Sequence, residues 1–187
     1  MTCWANAPSP ATTARRTWRK IAKRPTAVRD SSVLIHLGAI GQFALLPLFF
    51  SEVRVPDAGW REVVLQGKSH QVVNDVRSAA KDGWLRVATP ANAPLIQTLR
   101  QNLHDGEAEA IALAVETIPD FLLMDESDGR EAARQLGLRT RGVVGLLIQA
   151  KQAGRVAALR SWLTKLAQTG FHLSPDFMTQ VSRQAGE

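Results

Sequence analysis

The sequence predicts an α/β domain: a central, mainly parallel sheet covered by helices on both faces, in three layers. Three observations lead there. Short apolar runs suited to strands alternate with stretches of helical period along residues 27–187, the pattern of repeated strand–helix–strand units. Two of these runs, Thr26–Asp30 and Phe121–Asp125, finish on an aspartate, and parallel sheets build their sites just beyond the carboxyl ends of strands. The chain has 187 residues, 45% of them apolar, enough for one domain with its own core.

The elements follow in order. Thr26–Asp30 reads as a first strand and Ser31–Ile40 as a helix capped by Asp30 or Ser31. Gly41 breaks that helix, and Phe43–Phe50 adds an apolar turn or two. Glu52–Pro56 is a strand stopped by proline; Asp57–Leu65 is a helix closed by Gly67. Ser69–Lys81 is a further helix, with Val72, Val73, Val76, Ala79 and Ala80 on one face. Trp84–Ala88 is a strand, Leu95–Leu103 a helix, and Glu107–Glu116 an alanine-rich helix. Phe121–Asp125 is a buried strand, Gly129–Leu136 a helix ended by Gly137, and Leu138–Thr140 a short strand. Val143–Lys151 is apolar nearly all round and so reads as a buried helix. Arg155–Ala167 and Pro175–Gln184 complete the chain as helices.

Composition excludes several classes. No apolar run reaches the 18 or so residues of a membrane helix, and the basic N-terminus has no apolar stretch behind it to form a secretory leader. The single cysteine, Cys3, rules out an intrachain disulfide framework and a cysteine zinc cluster. A reducing, cytoplasmic setting is the expectation. The net charge of +6 is unevenly spread. Seven of the 23 Lys and Arg lie in residues 1–29, where there is no acid, which leaves 16 basic residues against 17 acids. Bulk charge therefore does not argue for nucleic acid; any such case rests on the site. Residues 1–26, rich in Ala, Thr, Pro and Arg, read as a disordered basic extension, as a nucleic-acid arm, or as an overcalled start. Residues 27–187 form the domain.

The chemistry-bearing candidates are Asp30, Glu62, Glu107 and Asp125, with Glu126 and Asp128 close behind. Hard divalent cations such as Mg²⁺ and Mn²⁺ take oxygen ligands, and can activate water and neutralise charge on a phosphate. Each acid also has a plain structural role open to it. Asp30 can cap the helix after it, Glu62 can face solvent, and Glu107 can sit at a helix start where the dipole favours acids. Glu107 and Glu109 are two apart, so at most one faces a shared site. The histidines His36, His70, His104 and His172 show no metal-ligand spacing and read as surface or packing residues.

The order of these pieces resembles the PIN-domain family of metal-dependent ribonucleases, and most of all the PIN-like branch encoded beside small antitoxins, the VapC-type toxins. The resemblance runs from about Val28 to Gly186. It rests on Asp30-Ser31-Ser32 with Leu34 and Gly38, on Val53–Pro56 followed by Trp60-Arg-Glu-Val63, and on Gly106–Ala114. Phe121–Asp125 with Gly129-Arg130, and Gly142, Gly145, Leu146-Leu147 and Ala150-Lys151, complete it. It implies that Asp30, Glu62, Glu107 and Asp125 are the catalytic acids, and that Asp30, Glu107 and Asp125 or Glu126 hold Mg²⁺ or Mn²⁺, with Asp128 another candidate for the last position. Relatives often carry two adjacent aspartates where this chain has Asp125-Glu126, and a threonine where it has Val143-Val144. Ser31 or Ser32 would donate to a carboxylate or a bound water, and Arg130 would contact phosphate, its plain alternative being an ion pair with Glu126 or Glu131. The implied function is hydrolysis of RNA by metal-activated water, as the toxin of a toxin–antitoxin pair. The partners implied are RNA, a small antitoxin and a second copy of the chain. Two alternatives stay open: an inactive PIN-like module that docks a protein partner, and a phosphatase using Asp30, which lacks the aspartate two positions on (Ser32). Phe43, Phe49 and Phe50 are candidates for a partner surface or for core.

Overall fold

The computed structural model describes residues 24–187; the basic extension and the question of its order lie outside them. Five parallel strands form one sheet in the order β3-β2-β1-β4-β5, with β1 Thr26–Arg29, β2 Glu52–Pro56, β3 Leu85–Ala88, β4 Phe121–Leu123 and β5 Thr140–Arg141. The expected α/β class therefore holds, and the sheet is wholly parallel. Register runs Ala27–Val53 and Ala27–Phe121 across the centre. The chain reverses its winding direction at β1, between β2 and β4, which opens a crevice at the carboxyl end of β1.

Alternation along the strands sorts two cores. Ala27, Val53, Val55 and Leu123 face the larger one. It is closed by α1 (Ser31–Ala39), α2 (Leu45–Phe49), α4 (His70–Lys81), α8 (Val143–Gln152), α9 (Leu159–Gln168) and α10 (Pro175–Gln184). Val28, Leu122 and Met124 face the other, against α6 (Asp105–Thr117) and α7 (Ser127–Gln135). On its far side α6 packs Ala108 and Ala112 against Ile96 of α5 (Ala93–Leu99). The alanine spacing of α6 thus lets one helix be buried on two sides. Phe43 and Phe50 lie in the large core and Phe49 packs against it, so these phenylalanines are core rather than a partner surface. No helix of the described residues is long and apolar enough to cross a membrane.

Several boundaries differ from the expectation, for physical reasons. The helix after β2 is α3 (Asp57–Trp60) followed by a π-helical turn, Arg61–Leu65. α5 starts earlier than expected, capped by the Asn92 side chain on the Leu95 N–H at 3.1 Å, and it ends at Leu99. Residues 100–104 are therefore loop. β5 lies one to two residues later than Leu138–Thr140. α9 begins at Leu159 rather than Arg155 because its first N–H groups are held from far along the chain: Glu187 accepts from Leu159 N at 2.6 Å and Arg160 N at 2.9 Å, and meets Lys151 Nζ at 2.8 Å. The Lys151 hydrogen bond, followed by these N–H groups, holds the Glu187 carboxyl down at about 2.

Ile118 ends α6 at φ 45° with its side chain 84% exposed. A β-branched residue in the left-handed region is strained, and nothing is buried in return. Ile118→Gly is expected to raise unfolding stability by about 0.5–1 kcal/mol, the left-handed penalty less the glycine entropy cost. Urea denaturation checks this; a lower midpoint would mean that the strain is absent.

Candidate metal centre

The crevice beyond β1 is an open cleft of ≈ 360 Å³. Asp30, Ser31 and Ser32 at the start of α1 form one wall, and Glu62 of the π turn a second. Loop residues Asn102, Leu103 and His104, with Gly106 and Glu107 of α6, form the third; Glu126 and Asp128 close the fourth at the start of α7. Five carboxylates thus line one cleft, and no Lys or Arg is among its lining residues. Among the described residues none of these five makes an ion pair with Lys or Arg.

Hydrogen bonds aim the acids. Asp30 is buried and caps α1, with Oδ2 accepting from Ser32 Oγ at 2.8 Å and Ser32 N at 3.4 Å. Ser31 Oγ lies 2.6 Å from Glu62 Oε2 and 3.2 Å from Asp30 Oδ1. A hydroxyl has one proton, so it donates mainly to Glu62 and tethers that exposed side chain beside Asp30. Gly106 makes room: a Cβ there would stand 3.2 Å from Asp30 Oδ1 and 3.5 Å from Glu62 Oε2. Glu107 Oε2 accepts from His104 N at 3.0 Å, closing the first turn of α6. Its carboxyl is raised above the usual range, first by burial and further by the charges of Asp30 and Glu126, against the His104 hydrogen bond. Glu109 points elsewhere, as the two-residue spacing requires, to Ala58 N at 2.9 Å and Arg100 Nη2 at 3.3 Å. Glu126 occupies the cap position of α7 but makes no capping hydrogen bond, leaving its carboxylate free toward the cleft.

Asp125 stands apart from this lining. Its Oδ1 accepts from Val143 N at 2.8 Å, fixing the start of α8, and Gly142 leaves the space, since a Cβ there would come within 2.5 Å of that oxygen. Its Oδ2 is buried without a partner. The group is pushed up to about 6, chiefly by burial, with the charges of Asp30 and Glu126 adding to it. Because the folded chain holds this proton more tightly than the unfolded one, the stability the group contributes is largest below 3.8 and is lost as pH rises through about 6. Asp125→Asn keeps an acceptor for Val143 N, and is expected to flatten the metal-free stability profile across that window. Denaturation midpoints against pH check it; an unchanged slope would assign the dependence to other groups.

Arg130 is exposed on α7 and does not line the cleft. Among the described residues it pairs with neither Glu126 nor Glu131, and Glu131 pairs with Arg134. Asn102, which no motif singled out, and His104, expected as a surface or packing residue, both line the cleft. Their one local signal was adjacency to Gly106-Glu107. Among the described residues no three His, Cys, Asp or Glu side chains are gathered into a ready-made metal cage. The donor set nonetheless suits a hard cation: it is oxygen-rich, and no Lys or Arg lines it.

Comparison with known proteins gives three findings. The sequence profile of a family described as PIN domain (DUF3368) matches residues 26–187. Among solved structures, a PilT N-terminus domain protein from the hyperthermophilic archaeon Sulfolobus solfataricus P2 is similar, at 19% identity and a TM-score of 0.43, covering 67% of this chain and 92% of that one. None of the curated proteins matches the chain in sequence.

Proposed function

The chain belongs to the PIN domain family across residues 26–187, a fold that is in general a nuclease, and from that premise we propose that it is a metal-dependent endoribonuclease. The observation that carries this reading is the cleft itself: five carboxylates on one wet crevice with no Lys or Arg among its lining residues. Carboxylates that face one crevice without a basic partner offer the oxygen ligands a hard divalent cation takes. Asp30, Glu107 and Glu126 would hold Mg²⁺ or Mn²⁺. When bound, the ion would supply an activated water and neutralise charge on the phosphate. Asp30 is fixed for that task by its two bonds from Ser32. Glu62, oriented by Ser31, would take a proton from the attacking water or hold that water in line. Asp125 acts as a positioning residue, tying the β4 loop that bears Glu126 to α8. From the order of motifs we further infer the role of toxin in a pair, silenced by a small partner protein.

The inactive binding module has one observation in its favour, the lack of a ready-made cage. Incubating the purified full chain, freed of any partner, with mixed RNA in Mn²⁺ and in chelator separates the two. Cleavage only with metal is expected. No cleavage with any divalent ion would leave the module.

A further inference from the structure

The acid cleft does not end at its acids. Glu62, Leu103, His104 and Gly106 also line a second groove of ≈ 700 Å³, which adds Ala58, Arg61, Gln66 and Asp105. The groove runs from the cleft between the π turn and the loop before α6. Its volume lies within the range of small-ligand sites, about 300–1,000 Å³.

Arg61 is the one Lys or Arg among the residues lining this groove, and it is exposed. It makes no ion pair among the described residues, and the acids near it have other partners. Asp105 is held by Arg100 Nε at 2.8 Å, and Glu62 by Ser31. Across the adjoining pocket, Asp57 accepts from Thr89 Oγ1 and Glu109 accepts from Ala58 N. The π turn starts at Arg61 and puts the cation and Glu62 side by side on one groove; π turns recur at functional sites. A polyanion approaching five carboxylates needs positive charge next to them as well as among them.

We propose that this groove seats the nucleotide flanking the scissile phosphate of a single-stranded RNA, with Arg61 contacting its phosphate. Gln66 and His104 present the polar groups that face its ribose or base. This subsite rests on the nuclease reading above, since it takes the acid cleft as the place of cleavage.

The test is equilibrium binding of a fluorescent single-stranded RNA of about ten nucleotides to the full-length protein. Ca²⁺ serves as the oxygen-seeking cation, and the RNA is checked for integrity afterwards. Arg61→Ala is expected to weaken binding about fivefold and to make the salt dependence of log Kd shallower by about 0.7, one phosphate contact on a single strand. Arg61→Lys should restore the slope, and Arg160→Ala, exposed on α9, should change neither. Wild-type binding with an unchanged slope in Arg61→Ala would overturn the subsite and leave the nuclease reading standing. No binding of RNA by the wild type would overturn both.

Discussion

Asp30→Asn is expected to lower Mn²⁺-dependent RNA cleavage on the order of 10³-fold, about 4 kcal/mol of barrier, while leaving the unfolding midpoint nearly unchanged. The two readings of Asp30, helix cap and metal ligand, separate at this substitution. Asn caps a helix about as well as Asp, and its carbonyl oxygen can still accept from Ser32 Oγ, now at 2.8 Å. The negative charge is lost, and one of the two carboxylate oxygens becomes an NH₂ donor that cannot ligate a cation. Asp30→Ala removes both roles and should cost in addition about 1 kcal/mol of stability. Cleavage and melting measured on the same preparations check the pair. Activity surviving in Asp30→Asn would reduce Asp30 to a cap and move the site along the cleft.

Arg29→Met is expected to stabilise the protein by about 1–3 kcal/mol, the cost of a buried hydrogen-bonding group left unsatisfied. Arg29 is wholly buried in β1, on the Ala27 face against the larger core, and Nε, Nη1 and Nη2 have no hydrogen-bond partner. Its pKa is driven well below the usual value by burial, against the pull of Asp30's charge. A depressed pKa on a basic group means that the charged form is disfavoured by the fold at every pH where the unfolded chain carries it. Methionine fills similar space with no charge and adaptable rotamers. Urea denaturation checks the sign, and a clear loss of stability would show that the guanidinium has a partner worth more than its desolvation.

The parts of the fold that were legible in the sequence are those with strong local pattern. Glu52–Pro56 and Pro175–Gln184 lie where periodicity and proline placed them, and the carboxyl ends of β1 and β4 do carry Asp30 and, one residue past Met124, Asp125. What escaped was set by distant partners. The cap of α9 comes from Glu187, 28 residues away from Leu159. β5 is two residues long and has no room for an alternating pattern. A π turn over Arg61–Leu65 has the same apolar residues a helix would have. In the site, Asp30, Glu62 and Glu107 share one cleft as the motif order implied, whereas no spacing rule could tell Asp125 from Glu126. In the structure Val143 N holds Asp125 toward α8, while Glu126 lines the cleft. His104 and Asn102 reach the cleft only because α5 stops at Leu99, which helical propensity alone does not reveal.

Whether this acid cleft holds a divalent cation is decided by anomalous diffraction from crystals of the protein grown or soaked in Mn²⁺. A manganese peak is expected in the cleft about 2.0–2.6 Å from oxygens of Asp30 and of Glu107 or Glu126, lost in Asp30→Asn. A well-ordered cleft with no peak in excess Mn²⁺, or a peak confined to another surface, would contradict it.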